Sequence, residues 1–261
     1  MLKKLKDFSN SWTGTIIIVL MIIFFVAQAF VIPSGSMKRT LLIGDHLFVK
    51  KFAYGIPTPT IPWIELKVLP DFNGNGHLIE GKRPKRGDIV VFKYPKDPKM
   101  HFVKRCVGVS GDTIMLRDKV LYILPHEGND YVKKNYKKEN YVEINGRLWL
   151  INPYRLKFPG IQNDPVISEN GMYPGQLFNF PPTLVKEDHY FMMGDNRDHS
   201  NDSRFWGQVP YSLVEGTPWF IYFSWDKNYH IRWNRIGAFV KDLELDKEYI
   251  DMNVSLGHGH T

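Results

Sequence analysis

Read for hydrophobic and polar positions alone, the chain has one long apolar block followed by many short ones. Twenty residues from Thr13 to Ile32 run with Gln28 as the only strongly polar interruption. At helical rise that length spans a hydrocarbon core of about 30 Å, so the block predicts a membrane-anchoring helix over 13–32. Lys3, Lys4 and Lys6 stand before it against Asp7. A basic flank of this kind predicts an amino terminus inside (residues 1–12) and the remainder outside. Ala27-Gln28-Ala29 allows a rival reading as the end of a cleavable secretory signal. Phe30, Val31 and Ile32 carry the apolar character past that point, which favours an uncleaved anchor.

Beyond Leu42 short apolar runs alternate with Gly, Pro and Asp. Asp45–Ala53 alternates as a strand does, and 88–94 and 101–109 are β-branched or aromatic runs. Helical periodicity is not strong anywhere outside the anchor, so the rest of the chain reads as mainly β. Two stretches read as insertions. Residues 56–84 are rich in Pro and Gly, which predicts a long surface loop or hairpin. Residues 119–186 form a mixed segment with the basic run VKKNYKKENY at 132–141. Its interleaved tyrosines could stack on nucleic acid, but a solvated hairpin face is the commoner use of such a run. The end, 246–261, is polar and predicts a fraying tail.

Composition changes this picture little. The chain has 261 residues, 43% hydrophobic and 23% charged, as expected of a folded protein rather than a disordered one. A net charge of +7 suits nucleic acid or an anionic membrane surface, and the anchor favours lipid headgroups. The single Cys106 excludes an internal disulfide and reads as a small buried strand residue. No metal or other cofactor is indicated. Asp71–Gly76 imitates the start of an EF-hand, but Lys82 stands at the twelfth position, and Asp198, Ser200 and Asp202 fail the same pattern. The nine histidines show neither HExxH nor pairing with cysteine.

Three stretches carry candidate chemistry. Directly after the anchor comes Ser34-Gly35-Ser36, where small residues would leave a hydroxyl exposed beside a bound peptide. An ordinary turn uses the same residues. In MHFVKRCVGVSGD, a strand reading places Phe102, Lys104 and Cys106 on one face, with Val103 and Arg105 on the other. A lysine there either snorkels to water or is desolvated, and a desolvated amine can serve a serine as general base. In GDNRDHSNDSRFWGQVP at 194–210, Asp195, Arg197, Asp198, Asp202 and Arg204 lie among Asn, Ser and Gly. So polar a loop can be tied down by charge-assisted hydrogen bonds, and ordering it is expensive unless its geometry is used.

Together these stretches resemble the bacterial type I signal peptidases, membrane-anchored serine proteases that remove signal peptides from exported preproteins. The likeness rests on IPSGSM and TLLIGD within 32–45, FVKKFAYG at 48–55, PKRGDIVVFKYP at 84–95, VKRCVGVSGD at 103–112, the 194–210 loop and RIG at 235–237. It implies a signal-peptidase-like antiparallel β catalytic domain, 33–118 with 187–245, carrying a β-rich variable insertion at 119–186. By resemblance Ser36 is the nucleophile and Lys104 the general base of a Ser–Lys dyad, and Ser34 joins the Ser36 backbone N–H in an oxyanion hole. Ser200 orients the lysine, while Asp195, Asn196, Asp202 and Arg204 support the site. Ile32 and Val103 line shallow pockets for small side chains. The implied substrates are signal peptides ending in Ala-x-Ala, and the implied location is the outer face of the bacterial cytoplasmic membrane. Arg39 departs from the family, which commonly has Pro there, and is expected to loosen the turn after Ser36. Two rivals fit less well. A tethered binding module would not need Ser36, Lys104 and Ser200 together, and self-cleaving repressors share the dyad but lack such an anchor.

Overall fold

The computed structural model describes residues 6, 8–21, 27–61, 66–71 and 74–246. The expectations for Lys3, Lys4, Asp7, the middle of the apolar block and the tail from 247 onward lie outside the described residues. The chain enters as helix α1 (Trp12–Met21), whose Trp12, Ile16, Ile17 and Ile18 face outward. It continues through β1 (Ala27–Val31), β2 (Asp45–Lys50), β3 (Gly55–Pro57), β4 (Thr60–Ile61), β5 (Leu66–Lys67) and β6 (His77–Glu80). Next come β7 (Ile89–Tyr94), β8 (Asp97–Gly108), β9 (Thr113–Arg117) and β10 (Val120–Leu124). Helix α2 (Gly128–Asn135) then leads into β11 (Tyr141–Ile144), β12 (Arg147–Ile151), β13 (Phe180–Leu184) and β14 (His189–Met193). The chain closes with α3 (Ser203–Trp206), β15 (Val209–Pro210), β16 (Val214–Ser224) and α4 (Val240–Leu243).

A seven-stranded antiparallel sheet runs β1-β2-β16-β7-β8-β14-β15, and a five-stranded one runs β11-β12-β10-β9-β13. The mainly β expectation therefore holds. The second sheet begins at Thr113, a few residues before the expected insertion, because β9 pairs with β10 and β13 rather than with the first sheet. The two sheets share one core: Val107 of β8 and Phe191 and Met193 of β14 pack with Ile114, Leu121, Ile123 and Leu150. In the Pro- and Gly-rich stretch β3 pairs with β6 and β4 with β5, giving two small antiparallel sheets where a surface loop or hairpin is expected. The basic run differs from expectation. It starts inside α2, which has one buried side chain, Val132, and so too narrow an apolar stripe to show as a period.

The apolar block also divides differently. Ala27–Val31 is not helix but strand, paired with β2 from Ala27↔Lys50 to Val31↔His46. Apolar length specifies burial, not the element that achieves it. Here the edge of β2 satisfies the backbone, and Pro33 disfavours helical geometry at Ile32. Among the described residues no helix is long and apolar enough to cross a membrane.

Candidate active site

The segment leaving β1 is short and tightly held. Ser34 is extended (φ −131°, ψ 156°), and Gly35–Met37 form one 3-10 turn. Ile32, Met37 and Leu41 sink into the core with Leu47, Val49, Ile89 and Val91, so Ser36 between them has little room to move. Arg39 adopts φ +79°. Proline is locked near −65°, so this turn has a backbone that proline cannot share, and Arg39 is part of a differently wound turn rather than a loosened one.

Lys104 arrives from β8, paired with Val90 of β7, one residue before the β8–β14 pairing begins at Arg105↔Met193. The pairing with Val90 fixes its Cα, and its side chain runs toward the turn. Its Nζ lies 2.7 Å from Ser36 Oγ and donates to the Val103 carbonyl at 3.0 Å. Ser36 is 8% exposed and Lys104 only 4%. Burial pushes the lysine down to about 8 against the opposing pull of the Asp202 and Asp195 carboxylates. A buried amine of that basicity, touching a hydroxyl, can take its proton near neutral pH. Ser34 Oγ stands 3.4 Å from Ser36 Oγ, on the rim of the same small cluster.

The 194–206 loop closes over the turn from the other side. Asn196 clamps it twice: its backbone N–H donates to the Ser36 carbonyl and its Nδ2 to the Gly35 carbonyl, each at 3.0 Å. Asp195 accepts the guanidinium of Arg105 through both oxygens (2.7 and 2.8 Å) and the Thr40 hydroxyl at 2.7 Å. Asp202 caps α3 at Arg204 N–H, pairs with the Arg204 side chain at 2.8 Å, and accepts Gly194 N–H at 3.1 Å. Burial alone would raise both carboxyl groups, but their arginines outweigh it and hold both below the usual carboxylate range. Gly194 must be glycine for the loop to come this close: a Cβ there would lie 2.3 Å from Ser200 Oγ and 2.5 Å from the Ser36 carbonyl.

The structure thus brings together Ser34, Ser36, Lys104, Asp195, Asn196, Asp202 and Arg204. Ser200 is buried in the same loop, but neither hydrogen bond from Lys104 Nζ goes to it. Its Oγ makes no hydrogen bond of good geometry, although it lies close enough to Asp202 to help hold that carboxylate ionised. Ile32 is 4% exposed and Val103 half-buried. Cys106 is buried in β8, as expected. No role for Arg105 or Thr40 was legible in the sequence. The available signal was a second cation beside Lys104 in the apolar second half of β8, where a buried guanidinium is costly unless paired.

A model of the family described as signal peptidase, peptidase S26, matches residues 5–225. Signal peptidase I of Helicobacter pylori (strain J99) is 46% identical over 277 residues, covering 93% of this chain and 96% of that protein. Signal peptidase I of Pseudomonas aeruginosa is 35% identical over 235 residues, with 85% and 73% covered. Signal peptidase I of Aquifex aeolicus is 34% identical over 233 residues, covering 80% of each.

Proposed function

The chain belongs to the peptidase S26 family of signal peptidases and is a hydrolase of that family, and on that premise we propose that it cuts signal peptides from preproteins with Ser36 and Lys104. The carrying observation is the 2.7 Å contact between Lys104 Nζ and Ser36 Oγ, with the lysine buried and its pKa pushed down to about 8. Neutral Lys104 takes the Ser36 proton as Oγ attacks the scissile carbonyl carbon. The oxyanion that forms receives hydrogen bonds from the Ser36 backbone N–H and the Ser34 hydroxyl. The Lys104 ammonium then gives its proton to the departing amine as the carbon–nitrogen bond breaks, leaving an acyl ester on Ser36. Lys104, neutral again, takes a proton from water. The resulting hydroxide attacks the ester, and the lysine's proton returns to Ser36 Oγ.

In this reading Ser200 orients Lys104 once the ammonium has formed, which requires its Oγ to turn from Asp202 toward Nζ. Ile32 and Val103 offer little depth, which suits small residues of the Ala-x-Ala kind before the cut. The outward-facing apolar side chains of α1, and the exposed Val31, Ile43 and Trp225 near the turn, support a lipid-anchored enzyme working at the outer membrane surface. Enzyme and membrane-inserted signal peptide would then share one plane, which raises their effective concentration.

The test is cleavage of a preprotein with an Ala-x-Ala site by full-length protein in lipid, comparing wild type with Ser36→Ala and Lys104→Ala. Both variants should fold and lose cleavage by at least about 10³-fold. Near wild-type cleavage by folded Lys104→Ala would show that the base is misassigned.

A further inference from the structure

The chain beyond β16 folds back onto the site. Val240 and Leu243 of α4 are buried in the same core cluster as Met37 and Leu41, the residues that seat the nucleophile turn. Glu244 closes α4, its N–H donating to the Val240 carbonyl at 3.0 Å. Its Oε2 accepts from Arg105 Nη1 at 2.8 Å, and the same nitrogen donates to the Gly87 carbonyl at 2.6 Å. Arg105 is fully buried, its Cζ lies 3.8 Å from the Phe158 ring centre, and its other edge grips Asp195. A continuous path therefore runs Glu244, Arg105, Asp195, and through Asn196 and Thr40 to the turn that carries Ser36.

Charge balance points the same way. Among the described residues, Lys119 takes up the buried Asp198 of the loop at 3.0 Å, which leaves Arg105, Arg197 and Arg204 behind the dyad against Asp195 and Asp202. Two carboxylates leave one guanidinium uncompensated, and a buried unpaired cation is costly. Glu244 supplies the third carboxylate from the far end of the chain. Arg197 shows how tight the balance is: burial pushes its guanidinium down to about 10, with Arg204 and Arg105 adding to that effect and Asp195 and Asp202 opposing it.

We infer that the carboxyl-terminal turn is a strap on the active site and that Glu244 is a positioning residue for peptide cleavage. It acts through Arg105 and Asp195 and touches neither substrate nor reacting atoms. The inference rests on the Ser36–Lys104 reading above. With Glu244 in place, Arg105 Nη1 has a carboxylate acceptor beside the Gly87 carbonyl, opposite the edge that Asp195 grips, and the guanidinium holds one orientation. Without it, Arg105 and Asp195 can shift together, and the Ser36 turn loses the fixed alignment on which the contact with Lys104 depends.

Full-length protein in lipid tests this with Glu244→Ala and Glu244→Gln, measured for kcat, KM and unfolding temperature, with Ser36→Ala alongside. Glu244→Ala should lower kcat about tenfold per folded molecule, with KM within about twofold, because alignment rather than substrate binding is lost. Glu244→Gln keeps an oxygen acceptor for Arg105 Nη1 and should recover most of kcat. An unchanged kcat per folded Glu244→Ala molecule would overturn the inference, as would equal losses in Ala and Gln. If Glu244→Ala does not fold, Glu244→Asp is compared with Glu244→Gln: the shorter side chain should be the slower, and equal rates would overturn the inference. Cleavage by Ser36→Ala would instead bring down the dyad reading, whatever the Glu244 variants do.

Discussion

Lys104 is the residue on which activity and stability pull apart. Its folded pKa, about 8, lies below the 10.5 of an unburied lysine. The unfolded chain therefore binds more protons between those values, and stability rises with pH across that window. Below pH 8 both states are protonated and the penalty for burying the ammonium is present in full, about 3 kcal/mol by linkage. Above 10.5 the penalty vanishes. Catalysis needs the neutral form, so kcat/KM should rise from pH 6 and level off above about 8, the value that burial sets. Lys104→Met should abolish cleavage yet raise stability at pH 7 by roughly 1–3 kcal/mol, read by denaturant unfolding. A flat pH–rate profile, or a Met variant less stable than wild type, would contradict the assignment of a desolvated base.

At the scale of elements, a strand and a loop divide the work. β8 fixes Lys104 by pairing with Val90 of β7, whereas the 194–206 loop is held by ion pairs, by Asn196 and by a single bridge to Gln162. Asn196→Ala would keep the backbone bond to Ser36 but take one of two donors from the Gly35 carbonyl, leaving it the Lys38 N–H. That should cost about 1 kcal/mol of stability and lower kcat more than it changes KM. Steady-state kinetics beside thermal unfolding would check it, and an effect on KM alone would assign Asn196 to substrate binding instead. The strands β7 and β8 were legible because the β-branched and aromatic runs at 88–94 and 101–109 have no competing period. The start of β8 at Asp97, four residues before the second run, was not. Helix α2 was not legible, since it is short and mostly solvated, and β1 was hidden within a block whose apolar character suits lipid and sheet alike.

At the scale of the molecule, the seven-stranded sheet carries the site between its β8 face and the turn after β1, and large side chains remain exposed near that end. Val31, Ile43, Trp225 and Trp233 are among them, with Trp225 edge-on to His46 and Tyr229. Tryptophans prefer the headgroup level, where their rings are amphipathic. In full-length protein reconstituted with lipid, a quencher at headgroup depth should reduce tryptophan fluorescence. Trp225→Phe and Trp233→Phe should each lose part of that quenching. Quenching unchanged in both variants would mean that this face does not meet the bilayer.

The sequence by itself determined the class of fold and the family, and pointed to the candidate residues. Ser36, Lys104 and the Gly194–Arg204 loop stand out through a serine that follows Ser34-Gly35, a lysine among apolar neighbours and a dense run of mixed charge. Which partner each charge meets was a tertiary matter, since Arg105 meets Asp195 across 90 residues and Glu244 across 139. No periodicity or propensity encodes such pairs: they follow from burial, which makes a guanidinium that stays charged in the core costly unless the fold brings a carboxylate near. The same holds for Ala27–Val31, where hydrophobicity called for burial and only the open edge of β2 decided that it would be a strand.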